Sequence, residues 1–130
     1  MAPSAKPSVA ELVARVRRGD RAAVARALTL VVEERPGHEQ LSRAFFAEQG
    51  KAHTVGLCGS PGSGKSSLIN RLVGAARREG RTVAVLAVDP TSAFTGGAFL
   101  GDRLRVQEHA LDPGVFMRSL ATRGMMGGLN

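Results

Sequence analysis

Gly59, Ser60, Pro61, Gly62, Ser63, Gly64, Lys65 and Ser66 satisfy the pattern G-x-x-x-x-G-K-[ST] in full, a spacing suited to holding phosphate. A loop that turns its backbone N–H groups inward around an oxyanion needs φ freedom and no Cβ, which Gly59, Gly62 and Gly64 supply. Lys65 would place a point charge on the β and γ phosphates of a nucleotide, and Ser66 would offer its hydroxyl to Mg²⁺. A helix opening at Gly64 would add the positive end of its dipole. The motif also occurs by chance as a Gly/Ser-rich turn with a solvated lysine, so the flanking elements decide.

Upstream, the mostly apolar run of residues 53–58 predicts a short buried parallel strand. Downstream, Leu68, Ile69, Leu72, Val73 and Ala76 recur at helical spacing, with Arg71, Arg77 and Arg78 on other faces. Strand, loop and helix thus fall in the order a phosphate loop requires. A second buried strand is expected over residues 81–88, rich in β-branched residues and bounded by Gly80 and Asp89-Pro90. A glycine-rich loop then leads to a helix expected from Asp102 to His109. Asp112-Pro113-Gly114 reads as a turn and residues 115–119 as a third strand. Strands linked by helices imply a parallel sheet with right-handed crossovers.

Asp89 falls where the second strand ends, the edge at which ligands collect in open α/β sheets, and its carboxylate could hold a Mg²⁺-bound water. It could equally form an Asp-Pro turn. Asp102, beside Gly101, is a second candidate near a metal or simply a helix N-cap.

Residues 8 to about 49 read as helices. Leu12, Val13 and Val16 form a first amphipathic set, Gly19 breaks it, and Asp20 is suited to cap the next helix. Val24, Leu28, Val31 and Val32 line the second; Pro36-Gly37 ends it, and Leu41, Phe45 and Phe46 mark a third. These faces are expected to pack on the domain that follows.

The net charge is +7 over 130 residues, with 8 Lys/Arg against 6 Asp/Glu in residues 1–50 and 10 against 5 in residues 51–130. The excess therefore concentrates in the half carrying the loop. With no Lys/Arg block longer than two and five aromatic residues, all Phe, neither a basic arm nor a stacking platform for nucleic acid is evident. No apolar run approaches the ~20 residues of a membrane span, and the polar lead has no secretory pattern, so a cytoplasmic location is expected. Cys58 alone cannot form an internal disulfide and reads as a small buried hydrophobe. His38, His53 and His109 lack metal-ligand spacing.

Taken together, the phosphate loop through Ser67, the stretch Val88-Asp89-Pro90-Thr91-Ser92, the run Thr95-Gly96-Gly97 through Gly101-Asp102-Arg103, and the Arg123-Gly124-x-x-Gly127-Gly128 tail resemble the methylmalonyl-CoA mutase-associated GTPases. This is the MeaB/ArgK type, also called LAO/AO transport ATPases. The likeness runs from about residue 9, with Gly19-Asp20-Arg21 similar to that family's N-terminal arm. The loop by itself is generic; the Thr-Gly-Gly to Gly-Asp-Arg stretch and the tail are far more specific.

The resemblance implies an α/β P-loop NTPase fold with a helical arm over residues 1–50 and a partial GTPase domain over residues 51–130, ending after the third strand. It implies a Mg²⁺-dependent GTP hydrolase that serves an adenosylcobalamin-dependent methylmalonyl-CoA mutase as a chaperone, in cofactor loading and protection. Gly59 to Ser67 would cradle the GTP phosphates, Ser66 and Asp89 would serve the Mg²⁺, and Lys65, Asp89 and Asp102 would act on the reacting phosphate or as switch carboxylates. Family members continue into a Walker-B-type strand, an Asn-Lys-x-Asp guanine-reading motif and a dimerisation region, none of which occurs in these residues. The expectation is binding weaker than that of a complete member, no appreciable turnover, no dimer through that region, and an open edge on the third strand. Two other readings stay open: a P-loop ATPase or kinase of other chemistry, and a non-catalytic product that binds phosphate.

Overall fold

A computed structural model describes residues 7–48, 50–89, 109 and 111–121. The chain divides between His53 and Thr54 into a helical unit and an α/β unit.

The helical unit holds α1 (Val9–Arg17), α2 (Arg21–Val32) and α3 (His38–Phe46). Ser8 and Glu11 form a reciprocal capping box at the start of α1: the Ser8 hydroxyl accepts from the Glu11 N–H at 3.2 Å, and the Glu11 carboxylate accepts from the Ser8 N–H at 2.8 Å. Gly19, at φ 77°, breaks the chain between α1 and α2. Asp20 caps α2 as expected, its Oδ1 accepting from the N–H groups of Ala22 at 3.0 Å and Ala23 at 3.1 Å. Its other oxygen accepts from Arg15 Nε at 2.9 Å, which ties the cap to α1.

Leu12, Val13, Ala23, Ala27 and Leu41 form the core of this unit, with Val9, Val16, Leu30, Ala44 and Phe45 packed around it. Within this unit the apolar faces of the three helices bury one another. On α2 the seam is Ala23, Ala27 and Leu30 rather than the expected Val24, Leu28, Val31 and Val32, and Val31 is exposed. The spacing of three and four is the one expected, but the methyl side chains face inward and let the helices approach closely. Phe46, placed on the α3 face by periodicity, is exposed, while Leu41 and Phe45 carry the contact.

In the α/β unit, α4 (Lys65–Arg78) follows the glycine loop and packs on β1 (Val83–Asp89), which pairs in parallel with β2 (Val115–Ala121). The register runs from Val83 opposite Val115 to Asp89 opposite Ala121. This is an α/β P-loop fold with two paired strands among the described residues, where three strands were expected. Residues 53–58 form no strand and pair with no strand among the described residues, and Val55 and Leu57 are exposed. An apolar run becomes a strand only when a neighbouring strand takes its backbone groups. Cys58 is likewise exposed rather than buried.

β1 is half-buried, not buried on both faces: Val83, Val85 and Ala87 are partly covered while Leu86 and Val88 are exposed. On α4, Ser66, Ile69, Val73 and Ala76 form the inward stripe, and Leu68 and Leu72 lie outside it. The helix expected from Asp102 lies outside the described residues up to His109.

A polar clasp joins α4 to the turn before β2. Arg77 Nε donates to Asp112 Oδ2 at 2.9 Å, and Arg77 Nη1 donates to the Arg81 carbonyl at 2.5 Å. Asp112 Oδ1 accepts from the Gly114 N–H at 2.7 Å, and the Gly114 carbonyl accepts from the Val83 N–H at 2.9 Å. The Arg77 hydrogen bond, followed by that from Gly114, holds the Asp112 carboxyl below its usual range. The Arg77 guanidinium lies over Gly114 so closely that a Cβ there would fall 2.1 Å from its Cζ. The start of the parallel pair is thereby fixed to the end of α4.

Candidate functional site

The glycine loop is built by its own backbone requirements. Gly62 and Gly64 adopt φ 79° and 91°, in the left-handed region that disfavours other residues, and neither has a neighbour within 4 Å of where a Cβ would stand. Glycine is needed there for conformation. At Gly59 room is tight: a Cβ would lie 3.0 Å from the Ser63 hydroxyl, which would have to give way, and 3.7 Å from Lys65 Cδ. Pro61 and Gly62 occupy a turn whose ends meet where the Ser63 N–H donates to the Ser60 carbonyl at 3.2 Å.

Lys65, the first residue of α4, reaches back across this turn. Its Nζ donates to the Gly59 carbonyl at 2.6 Å and the Ser60 carbonyl at 2.8 Å. The ammonium is thus held on the loop by two carbonyls, with its third proton directed elsewhere. Ser66 is buried in the first turn of α4 and Ser67 is exposed beside it.

The helix start differs from those of α1 and α2 in one chemical respect. Ser8 and Asp20 consume first-turn N–H groups with their own side chains, whereas Gly64 caps α4 without a side-chain acceptor. Those donors and the helix dipole face the loop in which Lys65 sits, an arrangement that attracts a phosphate. The loop residues 59–64 are exposed, so an anion can reach them.

Gly59, Ser60, Pro61, Gly62, Ser63, Gly64, Lys65, Ser66 and Ser67 run from this turn into the first turn of α4. Asp89 is the last residue of β1, at the C-terminal end of the parallel pair. Asp102 lies outside the described residues. For Mg²⁺, a hydroxyl from Ser66 and a carboxylate from Asp89 are hard oxygen donors of the kind that ion takes, so these residue types fit. Among the described residues, no group of three His, Cys, Asp or Glu side chains gathers into a metal cluster. No described helix is long and apolar enough to cross a membrane.

Sequence periodicity missed one feature of α4. Ser67, Asn70, Arg71, Gly74 and Arg78, together with His109, line an open groove of about 460 Å³. The signal was present in the spacing of three and four, but its residues are polar and periodicity was read from apolar ones.

The profile of the family described as methylmalonyl Co-A mutase-associated GTPase MeaB matches residues 24–130. A putative GTPase of Pyrococcus horikoshii is 53% identical over 120 residues, covering 92% of this chain and 38% of that protein. The GTPase ArgK of Escherichia coli is 39% identical over 93% of this chain and 38% of its own length. The mitochondrial methylmalonic aciduria type A homolog of Caenorhabditis elegans is 40% identical over 95% of this chain and 35% of its own. The chain thus spans well under half the length of these relatives, and the shared part includes the whole phosphate loop. On this agreement of profile, relatives and loop geometry, the chain belongs to the family of methylmalonyl-CoA mutase-associated GTPases, MeaB.

Proposed function

We propose that this chain binds the phosphates of GTP as its Mg²⁺ complex through Gly59 to Ser67. The observation that carries this reading is the Lys65 ammonium held over the loop at 2.6 and 2.8 Å from two of its carbonyls, beside a helix start that lacks a side-chain cap. Phosphate oxygens entering the cradle would meet the first-turn N–H groups of α4, which no capping side chain covers, and the remaining Lys65 proton. Ser66 and Asp89 would hold Mg²⁺, which when bound neutralises phosphate charge. Asp89 and Asp102 are proposed as switch carboxylates. Such a site works by positioning and charge stabilisation more than by covalent chemistry.

Residues 1–50 serve in this reading as a helical arm and residues 51–130 as part of the GTPase domain. For the whole protein, the family supports a GTP hydrolase that acts in the cytoplasm as a chaperone of an adenosylcobalamin-dependent methylmalonyl-CoA mutase, in cofactor loading and protection. The relative from Caenorhabditis elegans, named for methylmalonic aciduria, agrees with that partner.

Competition between Mg·GTP and Mg·ATP for the chain, with phosphate release followed over many turnovers, tests the proposal. Preference for GTP, lost together with binding in Lys65→Ala, is expected. Equal competition by ATP would favour a P-loop protein of other chemistry, because the loop reads phosphates and not the base. Binding without phosphate release would confine this chain to the binding role.

A further inference from the structure

The groove on α4 is a separate opportunity for chemistry. Each of Ser67, Asn70, Arg71, Gly74 and Arg78 lies three or four residues from another of the set, and so they share one side of the helix. Gly74 forms the floor. A Cβ there would stand 3.6 Å from Arg78 Nη1 and 3.7 Å from His109 Cε1, so guanidinium and imidazole converge above a position with no side chain. His109 Nε2 lies 3.3 Å from the Asn70 carbonyl, a contact that requires the proton on Nε2 and orients the ring.

The charge is one-sided. Among the described residues no carboxylate lines the groove, and Arg71 and Arg78 are exposed and form no ion pair. Their neighbour Arg77, by contrast, is committed to Asp112. Two guanidinium forks seven residues apart on one side of the helix, with Ser67 and Asn70 preceding the first of them, suit a tetrahedral oxyanion, which Arg can engage through two parallel N–H bonds. A volume of about 460 Å³ lies within the range of small-molecule sites.

We propose that this groove is a second anion site, taking the phosphoryl group of a small molecule between Arg71 and Arg78. The groove begins at Ser67, where the Lys65 cradle ends, but its arginines lie farther along the helix. Thirteen residues separate Lys65 from Arg78, about 20 Å along the helix axis at ~1.5 Å per residue. A phosphate chain held by Lys65 does not reach that end of the groove.

The test is an amide and side-chain NMR titration of the full chain with inorganic phosphate and, separately, with ribose 5-phosphate, at constant ionic strength and with acetate as control. It is run on the parent chain, on Lys65→Ala, and on the double variant Arg71→Gln/Arg78→Gln. Because both arginines are exposed, the double variant should keep the parent's spectral dispersion. The expected result is saturable shifts at Gly74 and His109 that persist in Lys65→Ala and weaken at least tenfold in the double variant. Tighter binding of ribose 5-phosphate would identify an organic ester as the ligand, and equal binding the free ion. Shifts confined to Gly59, Gly62 and Gly64 and lost in Lys65→Ala would overturn the proposal. So would non-saturating shifts, or shifts reproduced by acetate, which would mark a general basic surface of the kind an acidic partner protein meets. Loss of phosphate-loop binding alone would leave the groove result standing, so the two sites fail separately.

Discussion

Gly64→Ala separates the conformational demand of the phosphate loop from its packing. Gly64 sits at φ 91° and ψ 8°, with no atom within 4 Å of a Cβ, so the substitution introduces backbone strain and no collision. A left-handed backbone costs a residue with a Cβ about 1–2 kcal/mol. The loop is exposed and closed across its turn by the single Ser63-to-Ser60 backbone hydrogen bond, so an alanine variant can relax when no ligand is present. The strain then falls on binding, where it corresponds to a roughly 5- to 30-fold rise in Kd for Mg·GTP. Melting temperature should change little. Asparagine tolerates this conformation better than alanine, so Gly64→Asn should lose less affinity. Gly19→Ala supplies the control. It carries the same kind of strain at φ 77° with open space around it, but lies between α1 and α2, so it should lower stability and leave Kd unchanged. Calorimetric titration of the three variants decides the matter. An unchanged Kd in Gly64→Ala would show that the left-handed backbone at that position is not part of the binding conformation.

Three further outcomes follow from the packing. Gly114→Ala must move the Arg77 guanidinium, the far end of a flexible side chain, away from Asp112, and so should cost what that ion pair contributes, about 1 kcal/mol or less; denaturant unfolding should show it to be non-additive with Asp112→Asn, and additive losses would refute the clasp. Leu41→Ala empties a core position that is 1% exposed and should destabilise the helical unit by about 2–5 kcal/mol in thermal or denaturant unfolding, whereas Phe46→Ala, at an exposed position, should cost far less. Acid should loosen the chain through Glu11, Asp20 and Asp112. Each is held below its ordinary value, Glu11 first by its bond from the Ser8 backbone, Asp20 by that from Ala23, and Asp112 by Arg77. A depressed folded-state value means that the stabilisation is complete above the ordinary carboxylate range and is lost as pH falls through it toward the folded-state values. Melting temperature followed against pH should therefore fall on the acid side, and less steeply in Asp112→Asn.

Features that a residue imposes on its own backbone were legible in the sequence. The glycines of the phosphate loop, the break at Gly19, the Asp20 cap and the strand centres at residues 83–88 and 115–119 all express local preferences, and all hold in the structure. The Ser8-x-x-Glu11 spacing carried an equally local signal for the start of α1. Features that depend on a partner were not legible. Residues 53–58 have the composition of a strand, but composition supplies no neighbouring ladder. Ala23 and Ala27 rather than the larger valines make the helical seam, because close approach rewards small side chains that a hydrophobic pattern underweights. Of the candidate site, the cradle and its lysine could be named in advance. The return of Lys65 onto the Gly59 and Ser60 carbonyls and the convergence of Arg78 and His109 over Gly74 required three-dimensional placement.

Equilibrium titration of the monodisperse chain with Mg·GTP, beside Lys65→Ala, tests the central claim most directly. Lys65 holds the cradle's only side-chain ammonium, so saturable binding in the parent and its loss in the variant are predicted. Equal binding by both, or no binding by a parent chain shown to be folded, would contradict the assignment of residues 59–67 as a working nucleotide site.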